Sequence, residues 1–263
     1  MTGLAGLAGF SGDALLTHAF GLLMLLARIG TTMAMMPGLG ETAIPTAVKA
    51  GIILVLTLLL LPVIEPVLPP RPVTEVALAL MIMIEMVNGL WFGWLARVLA
   101  SSLPMAGQLI ADFAGLSNVL MPSPESGAQA TALARLYEVV VPVLILSTGL
   151  YRELLSALTG FYRLIPPGSI AWASDSATVT VTAIAGSFGL ALRLATPFVL
   201  ASVAWNVGIG LIARLVPRLQ VFFVALPGQI GLGLLLLSSV AIPLITAWME
   251  AMTADFGTLP GGG

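Results

Sequence analysis

The sequence predicts an all-α, polytopic membrane protein with kinked or broken helices. Three observations carry that expectation. Only 8% of the 263 residues are Asp, Glu, Lys or Arg, while 59% are apolar; a soluble domain is about a quarter charged. The charges leave long gaps, with none from Ile52 to Ile64 and none from Leu219 to Met249. Mean hydropathy is +1.08. A surface this poor in charge suits lipid or protein better than water, and at ~20 apolar residues per crossing five to seven crossings fit.

The first apolar segment runs about Ala14 to Met36 and ends at Pro37, Gly38 and Gly40. Pro45 then opens a second, about Thr46 to Ile64, in a position suited to a helix start. The stretch Pro66 to Pro72 cannot be helix interior, because its prolines lack donors and clash with the preceding turn. A third segment, about Thr74 to Leu103, would reach ~45 Å as helix against a core of ~30 Å, so it must tilt, kink or project. Pro104 and Gly107 follow, then more apolar sequence to Met121 and a loop from Met121 to Thr131. A fourth span covers about Ala132 to Leu158, with Pro142 inside, and a polar loop runs from Arg163 to Thr178. Two long segments, about Thr180 to Leu215 and Leu219 to Met249, joined by the basic turn Arg214 to Arg218, read as a helical hairpin. Residues 251–263 are expected to form a flexible tail. Pro142, Pro197, Pro227 and Pro243 lie within apolar segments, which calls for kinked helices sheltered by other protein. With six spans, Lys49, Arg97, Arg135, Arg214 and Arg218 outnumber Arg71, Arg152 and Arg163, which places the first group in the cytoplasm and both termini outside.

Composition also limits the chemistry. The formal net charge is −2, with one lysine and no run of like charge, so nucleic acid is not an expected partner. Cysteine is absent and His18 is the one histidine, which leaves no thiol chemistry and no histidine metal cluster. Met1 to Ser11 carries no Lys or Arg ahead of the first apolar segment, so no cleavable signal peptide is expected. Patterns such as GxSxG, HExxH or a phosphate-binding loop are missing. No catalytic, cofactor-binding or metal-binding residue is assigned, and the chain is expected not to be an enzyme.

A few residues stand out. Arg28, Glu85, Arg97, Asp112 and Arg193 fall in or beside apolar stretches. Such charges are costly at membrane depth; pairing with a neighbour or facing a protein-lined cavity is preferred over a pathway or relay. Met33, Met35, Met36, Met81, Met83 and Met86 are read as lipid-facing or packing residues before a deformable seal. Gly89 and Gly93 form a GxxxG pattern that permits close helix approach. The segment Ala106 to Pro124 mixes glycine, amides, a carboxylate and apolar groups and suits a re-entrant loop or pore constriction.

Three ordered stretches resemble the FliR family, membrane subunits of the flagellar type III protein-export gate with an SctT-like counterpart in injectisomes. They are Ala27-Arg28 with Pro37 and Ile44 to Gly51; Ala106 to Ile110 with Gly115-Leu116-Ser117 and Pro124; and Ala191 to Pro197 with Gly210, Pro217, Val221-Phe222 and Pro227. The resemblance implies one FliR-like membrane domain over 1–263, built for a helical hetero-oligomeric gate. About 1–178 would be FliP-like and about 179–250 a FliQ-like hairpin. It implies FliP-type and FliQ-type subunits, other membrane export components and unfolded flagellar substrates as partners, at the bacterial inner membrane in the flagellar basal body. It further implies a channel plug at about Ala106 to Pro122, carried by Gly107, Gln108, Asp112, Phe113, Gly115, Leu116 and Met121, and a cytoplasmic hairpin tip at Arg214, Pro217 and Arg218. Asp112 departs from the family pattern, where an apolar residue is expected. A small-solute secondary transporter is the alternative; it calls for paired ionisable groups near mid-membrane, for which Glu85 and Arg193 are the candidates, and for a repeat between halves.

Overall fold

The computed structural model describes residues 12–116, 131–170, 173–215 and 221–262. They form eight α-helices: α1 (Gly12–Met35), α2 (Thr46–Ile64), α3 (Glu75–Ala100), α4 (Ser102–Phe113), α5 (Ala132–Thr148), α6 (Tyr151–Leu164), α7 (Ala173–Leu215) and α8 (Val221–Gly257). Among the described residues there is no strand.

Local chemistry sets the boundaries. Pro45 stands just before α2, and Pro62 and Pro66 close it through a short 3-10 turn, Glu65–Val67. Thr57 is fully buried in α2 and returns its hydroxyl to the Ile53 carbonyl at 2.7 Å. Thr74 Oγ1 accepts from Ala77 N at 3.3 Å and starts α3. The break between α3 and α4 falls at Ser101. Pro104 cannot donate to the Ala100 carbonyl, and Ser101 and Ser102 hydrogen-bond back to Val98 and Leu99 at 2.6 and 2.8 Å. Thr131 caps α5, accepting from Ala134 N at 3.3 Å.

The segment from Ala132 to Leu158 is broken into two helices, α5 and α6, at Gly149 and Leu150. Pro142 stays inside α5, and the helix stops at Gly149, whose φ of 87° reverses the backbone as a side-chain-bearing residue would resist. The following helix, α6, buries Leu154, Ala157, Leu158 and Phe161, spaced at one helical face. At the expected tail, α8 continues to Gly257, and Phe256 and Leu259 are buried. Gly261, at φ 92°, lies against the backbone of Gly160 and Phe161 so closely that a Cβ on either glycine would overlap main chain. Two large apolar groups and two glycines therefore hold that end in place.

The chain forms two compact units, each drawn from separate stretches. The first comprises Met1–Arg97, Tyr151–Thr180 and Phe256–Gly263, the second Val98–Leu150 and Val181–Asp255.

In the first unit α1 and α3 touch backbone to backbone. A Cβ on Gly89 would overlap the Arg28 carbonyl, and one on Gly93 would lie 2.6 Å from the Thr32 carbonyl oxygen. The GxxxG pattern thus serves contact within the chain. At this crossing Arg28 is fully buried. Its Nε lies 2.6 Å from Glu85 Oε2, a terminal nitrogen donates to Glu85 Oε1 at 3.0 Å, and the other to the Ile165 carbonyl at 2.8 Å. The rings of Tyr162 and Phe161 cover the guanidinium at 4.4 and 5.2 Å. Glu85 Oε1 also accepts from Gly168 N at 2.7 Å, and Asn88 donates to the Ser169 carbonyl at 2.8 Å. One buried pair therefore fastens α1, α3, α6 and the turn after α6. Met24, Met33 and Met36 fill the surrounding core, while Met83 and Met86 face outward.

The second unit packs α4, α5 and parts of α7 and α8 around Leu103, Ile110, Tyr137, Ile145, Phe198 and the fully buried Trp248. Five helical stretches are long and apolar enough to cross a membrane: Leu16–Met35, Thr46–Val67, Glu75–Phe113, Asp175–Leu215 and Ala225–Gly257. Counting α5 with α6 gives a sixth. The protein is a polytopic helical membrane protein. Pro62, Pro142, Pro197, Pro227 and Pro243 all sit within helices.

Removing one member of the buried ion pair strands the other. Arg28→Met is expected to lower stability by about 3–5 kcal/mol, and Arg28→Met with Glu85→Leu to recover much of that loss. Thermal unfolding of the purified protein in detergent checks this; an unchanged melting temperature in the single variant would refute it.

Candidate functional site

The candidate site is the end of α4. The residues 106–113, expected as irregular loop, are regular helix, because Ala106, Ile110 and Ala111 supply an apolar stripe that α5 covers. Gly107 faces α5 so closely that a Cβ would lie 2.6 Å from Tyr137 Cδ2 and 3.2 Å from the Ala134 Cα. Gln108 Oε1 accepts from Thr131 N at 3.0 Å, which ties α4 to the cap of α5, while its amide nitrogen reaches the two Asp112 oxygens at 3.3 and 3.4 Å. Asp112 is exposed and Phe113 half-buried.

The last carbonyls of α4 are all occupied. Ala114 N donates to the Ile110 carbonyl at 2.8 Å, Leu116 N to Ala111 at 2.8 Å and Gly115 N to Asp112 at 3.3 Å. With Gly115 at φ 73°, this is a Schellman turn, and the buried Leu116 closes it over the apolar face. The remaining carbonyl, of Phe113, accepts from Gln229 Nε2 of α8 at 3.1 Å. Nearby, a Cβ on Gly233 would lie 2.6 Å from Ala114 Cβ and 3.1 Å from the Ala114 carbonyl oxygen, so α8 lies directly on this turn. At the other end of α4, Trp248 Nε1 donates to Ser102 Oγ at 3.0 Å. Phe113, Ala114, Trp205, Gln229 and Gly233 border a cavity of about 10 Å³, near the lower limit for one water.

Gly107, Gln108, Asp112, Phe113, Gly115 and Leu116 are thus brought together on one short helix and its closing turn. Met121 lies outside the described residues. Arg214 is exposed in the last turn of α7, and Pro217 and Arg218 lie outside the described residues. The other singled-out charges have partners elsewhere. Arg97 pairs with Glu41 at 3.1 Å and donates to the Met35 carbonyl at 2.8 Å. His18 Nε2 stands 3.2 Å from Glu65 Oε1. Arg193 is exposed and acts electrostatically on Asp255. Glu85, one half of the pair a solute transporter would need, is committed to Arg28 and Gly168. Sequence reasoning does not single out Gln229, Gly233 or Trp248. Gln229 does carry a signal, as an amide inside a 31-residue stretch free of charge, Leu219 to Met249.

The family model described as bacterial export proteins, family 1, matches residues 19–256. The flagellar biosynthetic protein FliR of Caulobacter vibrioides is 30% identical over 227 residues, covering 86% of this chain and 90% of that protein. The chain belongs to the FliR family of bacterial export proteins. FliR of Escherichia coli is 26% identical over 240 residues, covering 90% of this chain and 88% of its own. The Yop proteins translocation protein T of Yersinia pestis is 26% identical over 235 residues, with 87% and 88% covered. The family match runs from α1 into α8 and so includes the α4 turn.

The turn at Gly115 gives a direct check. Gly115→Ala forces a side chain into a left-handed conformation, with Gln229 at 3.3 Å from the new Cβ, and is expected to cost about 1 kcal/mol. Gly186→Ala, in α7 with open space around it, is expected to gain about 0.5–1 kcal/mol. Melting temperatures in detergent should move in opposite directions.

Proposed function

We propose that this chain is a non-enzymatic subunit of the bacterial flagellar type III export gate, lining and plugging a channel for unfolded flagellar proteins. The observation that carries the proposal is the match along 86% of the chain to a flagellar FliR protein. The gate would sit in the inner (cytoplasmic) membrane at the flagellar basal body. FliP-type and FliQ-type subunits would be its neighbours, with residues about 1–178 FliP-like and about 179–250 a FliQ-like hairpin. Physical features favour such surroundings. Along α7, Val181, Phe188, Leu192, Leu200, Val203 and Val207 are exposed, and 43 helical residues reach ~65 Å, twice the thickness of a hydrocarbon core.

The plug is assigned to the end of α4 and its closing turn, through Gly107, Gln108, Asp112, Phe113, Gly115 and Leu116, with Met121 beyond. A helix that stops in a fully hydrogen-bonded turn offers a firm base from which a short segment can cross a passage. The hairpin tip, Arg214, Pro217 and Arg218, is assigned to the cytoplasmic side by its two positive charges. The small-solute transporter draws no support from the relatives.

Three measurements test this. Purification of the tagged chain from its own bacterium, followed by mass spectrometry, should recover FliP-type and FliQ-type subunits; their absence would sink the proposal. Deletion of Phe113 to Val119 should raise small-ion leakage through the assembled gate, and unchanged leakage would remove the plug role. A single cysteine at Leu219, clean because the chain has none, should be modified from the cytoplasmic side; modification only from the periplasm would reverse the orientation.

A further inference from the structure

We propose that the cavity beside the turn after α6 is a lipid site, seating one acyl chain of a membrane phospholipid whose head group carries an amine. The inference is independent of the export-gate reading and of the plug.

The cavity holds about 480 Å³, within the ~300–1,000 Å³ typical of ligand sites. Trp91 of α3, Ile165, Pro166 and Ile170 of the turn, Val179 of α7 and Pro260 supply its apolar wall. All belong to the first unit. The turn lies against Glu85 and Asn88, midway along α3 and inside the candidate span Glu75–Phe113.

Irregular backbone at such a depth is tolerated only where protein meets its polar groups. This turn satisfies that condition, because it has no amide left to give. Pro166 and Pro167 carry no N–H. Ile165 N donates to the Phe161 carbonyl at 2.9 Å, Gly168 N to Glu85 Oε1 at 2.7 Å and Ser169 N to the Pro166 carbonyl at 3.1 Å. The carbonyls of Ile165 and Ser169 accept from Arg28 and Asn88, both at 2.8 Å. Side-chain donors are engaged as well. Ser169 Oγ donates to the Pro166 carbonyl at 2.6 Å, and Trp91 Nε1 to Thr180 Oγ1 at 3.1 Å. A held water needs about two to four polar partners, and this stretch of wall offers it no N–H. An inserted peptide would bury its own N–H and C=O groups against donors already engaged. An acyl chain brings no such groups.

The open side has a second character. Leu164, Pro166 and Ile170 are exposed there together with Asp175, which is the one formal charge among the lining residues. An apolar slot that ends at a carboxylate fits an amphiphile with an ammonium head and repels a purely anionic one. Asp175 already has an intramolecular partner. A carboxylate offers about four acceptor positions, so it takes an ammonium N–H in addition.

The test uses the full-length chain, isolated with whatever subunits accompany it, in nanodiscs of phosphatidylglycerol and phosphatidylethanolamine. Bromine is placed mid-chain on one lipid at a time, where it quenches tryptophan fluorescence on contact. The difference between wild type and Trp91→Phe isolates the Trp91 signal. Half-quenching of Trp91 is expected at an about 3-fold lower mole fraction when phosphatidylethanolamine carries the bromine, the preference that one exposed ion pair supplies. Asp175→Asn should make the two lipids equal. Val179→Phe fills the cavity and should relieve the quenching. An unquenched Trp91, or quenching that persists in Val179→Phe, would overturn the site. Equal response to both lipids in the wild type, or a preference that survives Asp175→Asn, would overturn the amine head group.

A second measurement needs no variant, so misfolding cannot obscure it. Mass spectrometry of the wild-type chain released from detergent micelles should show one phospholipid per chain retained through washing. A lipid-free chain would overturn the site.

Discussion

The buried Arg28–Glu85 pair is the constraint on which the first unit depends. Two full charges with no exposed side-chain surface are tolerable only if each is met by the other and by further hydrogen bonds. Here Ile165, Gly168 and the rings of Phe161 and Tyr162 complete the shell. Every one of those groups must arrive in register, so the pair dictates where α6 and its following turn lie against α1 and α3. Gly89 and Gly93 make the arrangement reachable, since any side chain there would push α1 away and stretch the ion pair. Charge and small size at neighbouring positions are therefore one device.

The second unit solves a different problem, the clean termination of a short helix. Residue type and long-range contact divide the task at α4. Gly115 permits the left-handed turn, Leu116 supplies the apolar closure, and Gln229 takes the carbonyl that local geometry cannot reach. The upstream break at Ser101 is set locally, by Pro104 and two back-bonding serines. A helix bounded in these two ways is short, rigid and fixed at both ends, which makes the place where the chain leaves it well defined.

Much of this is legible in sequence, where the cause is local. The bounds of α2 agree with the segment Thr46 to Ile64 because Pro45 and the proline cluster after Ile64 act within a few residues. The long final hairpin segments follow from sheer apolar length. Sequence and structure part where the cause lies elsewhere in the chain. Pro142 suggests a kink, yet Gly149 ends the helix, since a proline is tolerated inside a helix when other groups meet the freed carbonyl. Residues 106–113 are polar enough to suggest a loop, but Gln108 directs its amide to Thr131 and Asp112 while the apolar face meets α5. The glycines of the tail suggest flexibility, and they instead permit the main-chain contact at Gly160. Nothing in the spacing of Arg28 and Glu85, 57 residues apart, announces that they meet. The family, by contrast, is readable from short ordered motifs. Several of them, Arg28, Gly107 and Gly115 included, fall at points of close approach between helices.

The length of α7 carries a practical consequence. From Val181 to Leu215 its outward side chains are predominantly apolar, a strip of ~50 Å at 1.5 Å per residue. A detergent belt or nanodisc matched to an ordinary crossing shields about 30 Å of that. The uncovered remainder would make the lone polypeptide sticky at one end in any such preparation.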